Sequence, residues 1–151
     1  SKLINESGLD LGLVGQVDKI KTREIKNLIL QDIIPVISPI GLDRKSQYLN
    51  INADSVAGKV AESLSAEKLI LLTDVKGITD KKGKLLSKIS SAKANKILKN
   101  GIVKDGMVPK LIAAVEAAKS GVSSAHIIDG RVPHAVMLEI LTKEGVGTLI
   151  S

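Results

Sequence analysis

The chain has 151 residues, no cysteine, no phenylalanine or tryptophan, and a single tyrosine, Tyr48; 44% of its residues are hydrophobic and 25% charged. That size and balance suit one folded domain with a real core and exclude a disordered chain, while the lack of cysteine excludes disulfides and thiolate metal sites. Lys and Arg outnumber Asp and Glu by 22 to 16, a formal charge of +6, which directs attention to anionic partners.

Among anionic partners a polynucleotide fits poorly, because one tyrosine cannot build a base-stacking platform and the lysines are scattered rather than banded. No membrane association is expected: apolar runs such as Leu69-Ile70-Leu71-Leu72 are far too short to span a bilayer, and the first six residues lack the apolar core of a secretory signal. A small anionic ligand remains.

Short runs rich in Ile, Leu and Val at 11–17, 33–37, Lys68–Thr73, 125–128 and 148–150 predict strands covered on both faces. Helical spacing appears between them. Ile25, Leu28 and Ile29 follow Thr22, an N-cap candidate. Ala53, Val56, Ala57, Val60, Ala61 and Leu64 form one long stripe. Ala94, Ile97 and Leu98 follow Ser90-Ser91 and stop at Asn100-Gly101; Leu111, Ile112, Val115 and Ala118 follow Pro109; a last helix is predicted from Pro133 to about Leu141, with His134 at its start. Strands alternating with helices predict an α/β fold, with a mostly parallel sheet and helices on both sides. Ligands of such sheets sit at the carboxyl ends of the strands.

Neither a P-loop nor a G-x-G-x-x-G dinucleotide fingerprint is present, and two histidines without cysteine cannot make the usual zinc constellations. Three segments bear more chemistry. In Tyr48-Leu49-Asn50-Ile51-Asn52-Ala53-Asp54, alternation would set Asn50, Asn52 and Asp54 on one side of an extended segment; equally, Asn52 would cap the following helix with Asp54 in its first turn. In Asp105-Gly106-Met107-Val108-Pro109-Lys110, proline belongs at the first helical position, which leaves Lys110 in the first turn, where a cation opposes the macrodipole. A charge so placed beside free N–H groups suits a phosphate. The loop Thr73-Asp74-Val75-Lys76-Gly77-Ile78 follows a buried strand and reads either as a nucleotide-pocket wall or as a polar turn. His126 reads as a core-strand histidine or a switch.

Taken in order, these three segments, with Ile34-Pro35-Val36-Ile37-Ser38-Pro39-Ile40-Gly41, resemble the amino-acid kinase family over nearly the whole chain. The tail His126-Ile127-Ile128-Asp129-Gly130-Arg131-Val132-Pro133-His134, with Glu144-Gly145-Val146-Gly147-Thr148, is similar to the family's arginine-inhibited branch, which phosphorylates the side-chain carboxylate of N-acetyl-L-glutamate. The resemblance implies a three-layer αβα sandwich of the carbamate kinase type, incomplete here, with residues 1–151 forming a single unit that is the carboxyl-terminal, nucleotide-binding half of a kinase domain. It implies ATP with Mg²⁺ carried by the nucleotide, no protein-held metal, and a reaction that needs the other half of the domain. By the same resemblance Lys110 and Asp54 are catalytic; Asn50 and Asn52 hold substrate; Thr73, Asp74, Gly77, Ile78, Gly106 and Met107 hold the nucleotide; and His126, Glu144 and Gly147 form an arginine site. A homo-oligomeric full-length relative and a cytoplasmic location, with a plastid as the alternative, are also expected. Departures include Gln16, where the family has an acid, and Lys104-Asp105 before Gly106, where it has a glycine pair. Two other readings stay open: a non-catalytic ATP- or arginine-sensing module, and a different amino-acid kinase.

Overall fold

The computed structural model describes the backbone of residues 2–3, and residues 11–103, 106–142 and 145–151 in full. In chain order the elements are β1 (Lys2–Leu3), β2 (Val14–Gln16), α1 (Thr22–Ile29), β3 (Ile40–Leu42), β4 (Tyr48–Ile51), α2 (Ala53–Leu64), β5 (Lys68–Thr73), β6 (Lys88–Ile89), α3 (Ser91–Lys99), α4 (Met107–Lys119), β7 (Ser124–Asp129), α5 (Ala135–Leu141) and β8 (Gly147–Ile150). The α/β architecture is the one the alternation predicts. The strands form two four-stranded sheets, ordered β1-β2-β4-β3 and β5-β7-β8-β6.

Both sheets are mixed, a refinement of the mostly parallel expectation. β2 with β4, β5 with β7 and β6 with β8 run parallel; β1 with β2, β3 with β4 and β7 with β8 run antiparallel. Between β3 and β4 the reason is local. Residues 43–47 form a tight turn in which Asp43 Oδ1 accepts the N–H groups of Lys45 and Gln47 at 2.7 and 2.8 Å. So short a link permits only an antiparallel return.

The core lies on the β5-β7-β8-β6 sheet. Five consecutive residues of β7, Ala125 to Asp129, are buried, which explains why this strand reads as a continuous apolar run. Leu69 and Leu71 of β5, Ile89 of β6, Ile97 of α3, Leu111 and Val115 of α4 and Ile150 of β8 form one buried cluster with Ile127. Full burial of such a side chain is worth roughly 1.5–3 kcal/mol. Alanines 113, 114 and 117 make α4 narrow where it is buried. Gly58 of α2 lies against Ala113, and a Cβ added at Gly58 would stand 3.4 Å from the Ala113 carbonyl oxygen.

Helix starts follow side-chain chemistry where it exists. Asn52 caps α2 by accepting the Ser55 N–H, and Ser90 caps α3 by accepting the Lys93 N–H. Three local expectations are corrected. Thr22 is the first helical residue of α1, with Lys21 in the cap position and no side-chain cap. Pro109 is the third residue of α4, not the first, and Lys110 therefore closes the first turn. Residues 33–37 form no strand: Ile34 and Val36 are almost wholly exposed. Pro35 supplies no ladder donor and restricts Ile34 before it, so an apolar composition alone gave the wrong reading there. No helix among the described residues is long and apolar enough to cross a membrane.

Candidate active site

β4 leads into α2 through Asn52, and Gly106 leads into α4. Asp54 meets Lys110 at the two helix starts, and Gly58 meets Ala113 one turn further along both helices. The matched order of these contacts means that α2 and α4 run side by side in the same direction, with their amino-terminal ends together. The partial positive charges of two macrodipoles therefore coincide. Into that region the sequence adds a cation, Lys110, whose Nζ donates to Asp54 Oδ1 at 2.9 Å. Both side chains are largely enclosed, 21% and 17% exposed. Among the described residues no side chain caps α4, and a Cβ at Gly106 would meet none of them within 4 Å. Backbone N–H groups, a held ammonium and two dipoles form a donor set that fits a polyphosphate.

Beside this point lies a cleft of about 450 Å³, lined by Asp74, Val75, Lys76, Gly77, Thr79, Ile102, Val103, Met107 and Arg131. It sits at the carboxyl ends of the parallel strands β5 and β7, where Thr73 is in register with Asp129 and the Gly130 N–H donates to the Thr73 carbonyl at 2.8 Å. Met107 belongs to both features: it lines the cleft and begins the helix that carries Lys110 about 4.5 Å further along its axis. The loop is fastened from behind. The Ile78 N–H donates to Thr148 Oγ1 at 2.9 Å, and Gly77, at φ +123°, has its α-carbon so close that a Cβ would lie 2.8 Å from that hydroxyl.

The residues named from sequence distribute unevenly over this geometry. Lys110 and Asp54 touch; Asp74, Gly77 and Met107 share the cleft. Thr73 closes β5 directly behind it, while Ile78 is a core side chain, 1% exposed. Gly106 is exposed at the start of α4. Asn50 is exposed on β4, and Asn52 spends its side-chain oxygen on the cap; the strand ends at Ile51, so Asn50, Asn52 and Asp54 do not alternate along one extended segment.

His126 lies within β7, with Nδ1 2.7 Å from Glu139 Oε1 and Nε2 2.9 Å from Ser124 Oγ, so both ring nitrogens are engaged. The second Glu139 oxygen accepts the Val146 N–H at 2.6 Å. A Cβ on Gly147 would fall onto the Ile127 carbonyl oxygen and stand 2.8 Å from the Ile128 α-carbon. Glu144, like Lys104 and Asp105, lies outside the described residues.

Sequence reasoning missed Glu139 and Arg131. The signal for the first was an acid inside the otherwise apolar α5; the second lay within a quoted motif but received no role. Arg131 donates through Nε to Asp129 Oδ1 at 2.9 Å and through Nη2 to Oδ2 at 2.8 Å. This guanidinium, helped by the Arg131 backbone N–H and by the charge of Lys76, holds the Asp129 carboxyl down at about 2, and Asp129 in turn raises the Arg131 pKa.

Comparison with known proteins follows the same lines. The sequence pattern described as the amino acid kinase family matches residues 2–129. An acetylglutamate kinase of Alcanivorax borkumensis is 56% identical over 143 residues, covering 95% of this chain and 48% of that protein. The chain spans about half the length of the curated relatives it matches. Among solved structures, an N-acetylglutamate synthase of Neisseria gonorrhoeae, complexed with coenzyme A and L-arginine, superposes with a TM-score of 0.89 at 27% identity over 99% of this chain and 34% of that one. A carbamate kinase of Giardia lamblia bound to AMP-PNP superposes with a TM-score of 0.68 at 20% identity, over 91% of this chain and 46% of that one, and shows the shared fold.

Proposed function

The chain belongs to the amino acid kinase family, and from that membership we propose that residues 1–151 form one unit, the nucleotide-binding half of an acetylglutamate kinase. The reaction is transfer of the γ-phosphoryl group of ATP to the side-chain carboxylate of N-acetyl-L-glutamate, giving an acyl phosphate, and turnover requires the remaining length that such relatives possess. The observation that carries this reading is the 2.9 Å contact of Lys110 with Asp54 where two helix starts meet, beside the cleft of Asp74, Gly77 and Met107.

The chemistry asks little of a general base. A side-chain carboxylate with a pKa near roughly 4.3 is already ionised at neutral pH and needs no deprotonation to act as nucleophile. The obstacle is charge: an anion must approach an anionic phosphoryl group. Lys110 and the N–H groups of the α4 start neutralise the charge that spreads over the phosphoryl oxygens in flight. Asp54 holds the ammonium in place without leaving it free to fold into solvent. Mg²⁺ arriving with the nucleotide supplies further charge neutralisation. Asn50 and the amide of Asn52, at the end of β4, are read as contacts for the acetylated amino acid.

Mixing the chain with the amino-terminal half of an acetylglutamate kinase and assaying acyl phosphate formation tests this. Lys110→Ala is expected to lower the rate about 10²–10³-fold. An unchanged rate in a mixture that still binds both substrates would show that Lys110 has no part in the transfer.

A second reading, that the chain senses arginine without catalysis, draws on its likeness to the synthase solved with L-arginine. Here His126 and Gly147, with Glu144, would be the contacts. Calorimetry separates the two: arginine binding without ATP binding favours the sensor, and ATP binding favours the kinase half.

A further inference from the structure

The cleft beside α4 has walls of two kinds. Val75, Ile102, Val103 and Met107 give an aliphatic surface, while Asp74, Lys76 and Arg131 are its charged members. The sole aromatic residue of the chain, Tyr48, lies on β4 in the other sheet and takes no part. A heteroaromatic base entering this cleft therefore has no aromatic ring of this chain on which to stack. Arg131 is the planar cationic group of the lining.

Its guanidinium is unusually well fixed for a surface arginine. Asp129 grips it bidentately at 2.9 and 2.8 Å, and accepts the Arg131 backbone N–H at 3.0 Å. The anchor is buried and the arginine is not: 8% of the Asp129 side chain is exposed against 63% for Arg131. The turn that joins them is itself tied to β5 through the Gly130 N–H and the Thr73 carbonyl, and a Cβ at Gly130 would stand 3.2 Å from Leu72. Two of the five guanidinium N–H donors are used by this grip, which leaves the flat faces open and removes the entropy that a free arginine would lose on binding.

We propose that Arg131 is a nucleotide-binding residue whose guanidinium, held flat by Asp129, stacks on the base opposite Val75, Ile102, Val103 and Met107. It gives the cleft its preference for a nucleotide over a bare polyphosphate. Asp129 is the positioning residue that sets the plane. This deepens the nucleotide-site reading above and rests on it.

Calorimetry on the 151-residue chain with two probes, ADP and the base-free inorganic tripolyphosphate, tests the assignment. Arg131→Lys keeps the charge and removes the plane. It is expected to weaken ADP binding about tenfold and to leave tripolyphosphate binding unchanged. Asp129→Asn, which loosens the grip, is expected to weaken ADP in the same direction and by less. Unaltered ADP affinity in Arg131→Lys, with ADP still bound by the parent chain, removes the stacking role and leaves the nucleotide site standing. Equal losses for ADP and tripolyphosphate overturn it too, because Arg131 would then be a simple phosphate contact. If the parent chain binds neither probe, the nucleotide site falls and the assignment falls with it.

Discussion

Around the β5-β7-β8-β6 sheet the large apolar side chains are closed in: Ile127, Ile128 and Ile150 are wholly buried, and Leu111 of α4 with them. On the other sheet, Leu13 beside β2, Ile40 and Leu42 of β3 and Tyr48 of β4 are each half-exposed or more, and among its described large apolar side chains only Leu49 and Ile51 of β4 are buried. Residues of the same type thus hold the fold in one region and form surface in the other. Hydrophobic content by itself does not distinguish the two; what does is whether a helix such as α4 lies over the strand.

The contrast can be broken most severely at its centre. Ile127→Ala is expected to destabilise the chain by roughly 2–5 kcal/mol in urea denaturation, since the site is enclosed on all sides and cannot collapse freely. A smaller loss, about 1–3 kcal/mol in the same measurement, is expected for Gly147→Ala, whose new methyl would press on the backbone of Ile127 and Ile128. Next comes acid. Asp129 binds its proton less readily in the folded chain, about 2 against an ordinary 3.8, so its contribution is complete above 3.8 and is lost as the pH falls through 2. Thermal melts between pH 5 and 2 should therefore show a shallower decline for Asp129→Asn than for the parent chain. Smallest is Ile40→Ser on the open sheet, expected to change stability by less than about 0.5 kcal/mol. A loss there comparable to that at Ile127 would show that the open sheet is no less closed than the other.

Much of this was legible in sequence where periodicity is long. The stripe from Ala53 to Leu64 and the run Lys68–Thr73 appear as α2 and β5 within their predicted bounds. Short elements were not: β6 has two residues, too few to carry a period. The run at 33–37 misled because apolar content implies burial only when something covers it. Lys110 betrayed itself as a cation where a helix least favours one, yet its partner, 56 positions earlier, came from resemblance rather than from spacing. Arg131 stood within a quoted motif yet could be given no role, because its place depends on β7 ending beside β5, and the pairing of distant strands is not written in either strand alone.

The position of β8 has a consequence for how the chain is made. In its sheet β8 stands between β7 and β6, antiparallel to the first and parallel to the second, with Lys88 opposite Leu149 and Ile89 opposite Ile150. Among the described residues β6 therefore has no ladder partner until a segment some sixty residues downstream has been translated. α3, which begins directly after β6, likewise has its principal neighbour, α4, downstream of it. The β7-β8-β6 part of the sheet therefore cannot close before β8 has been made.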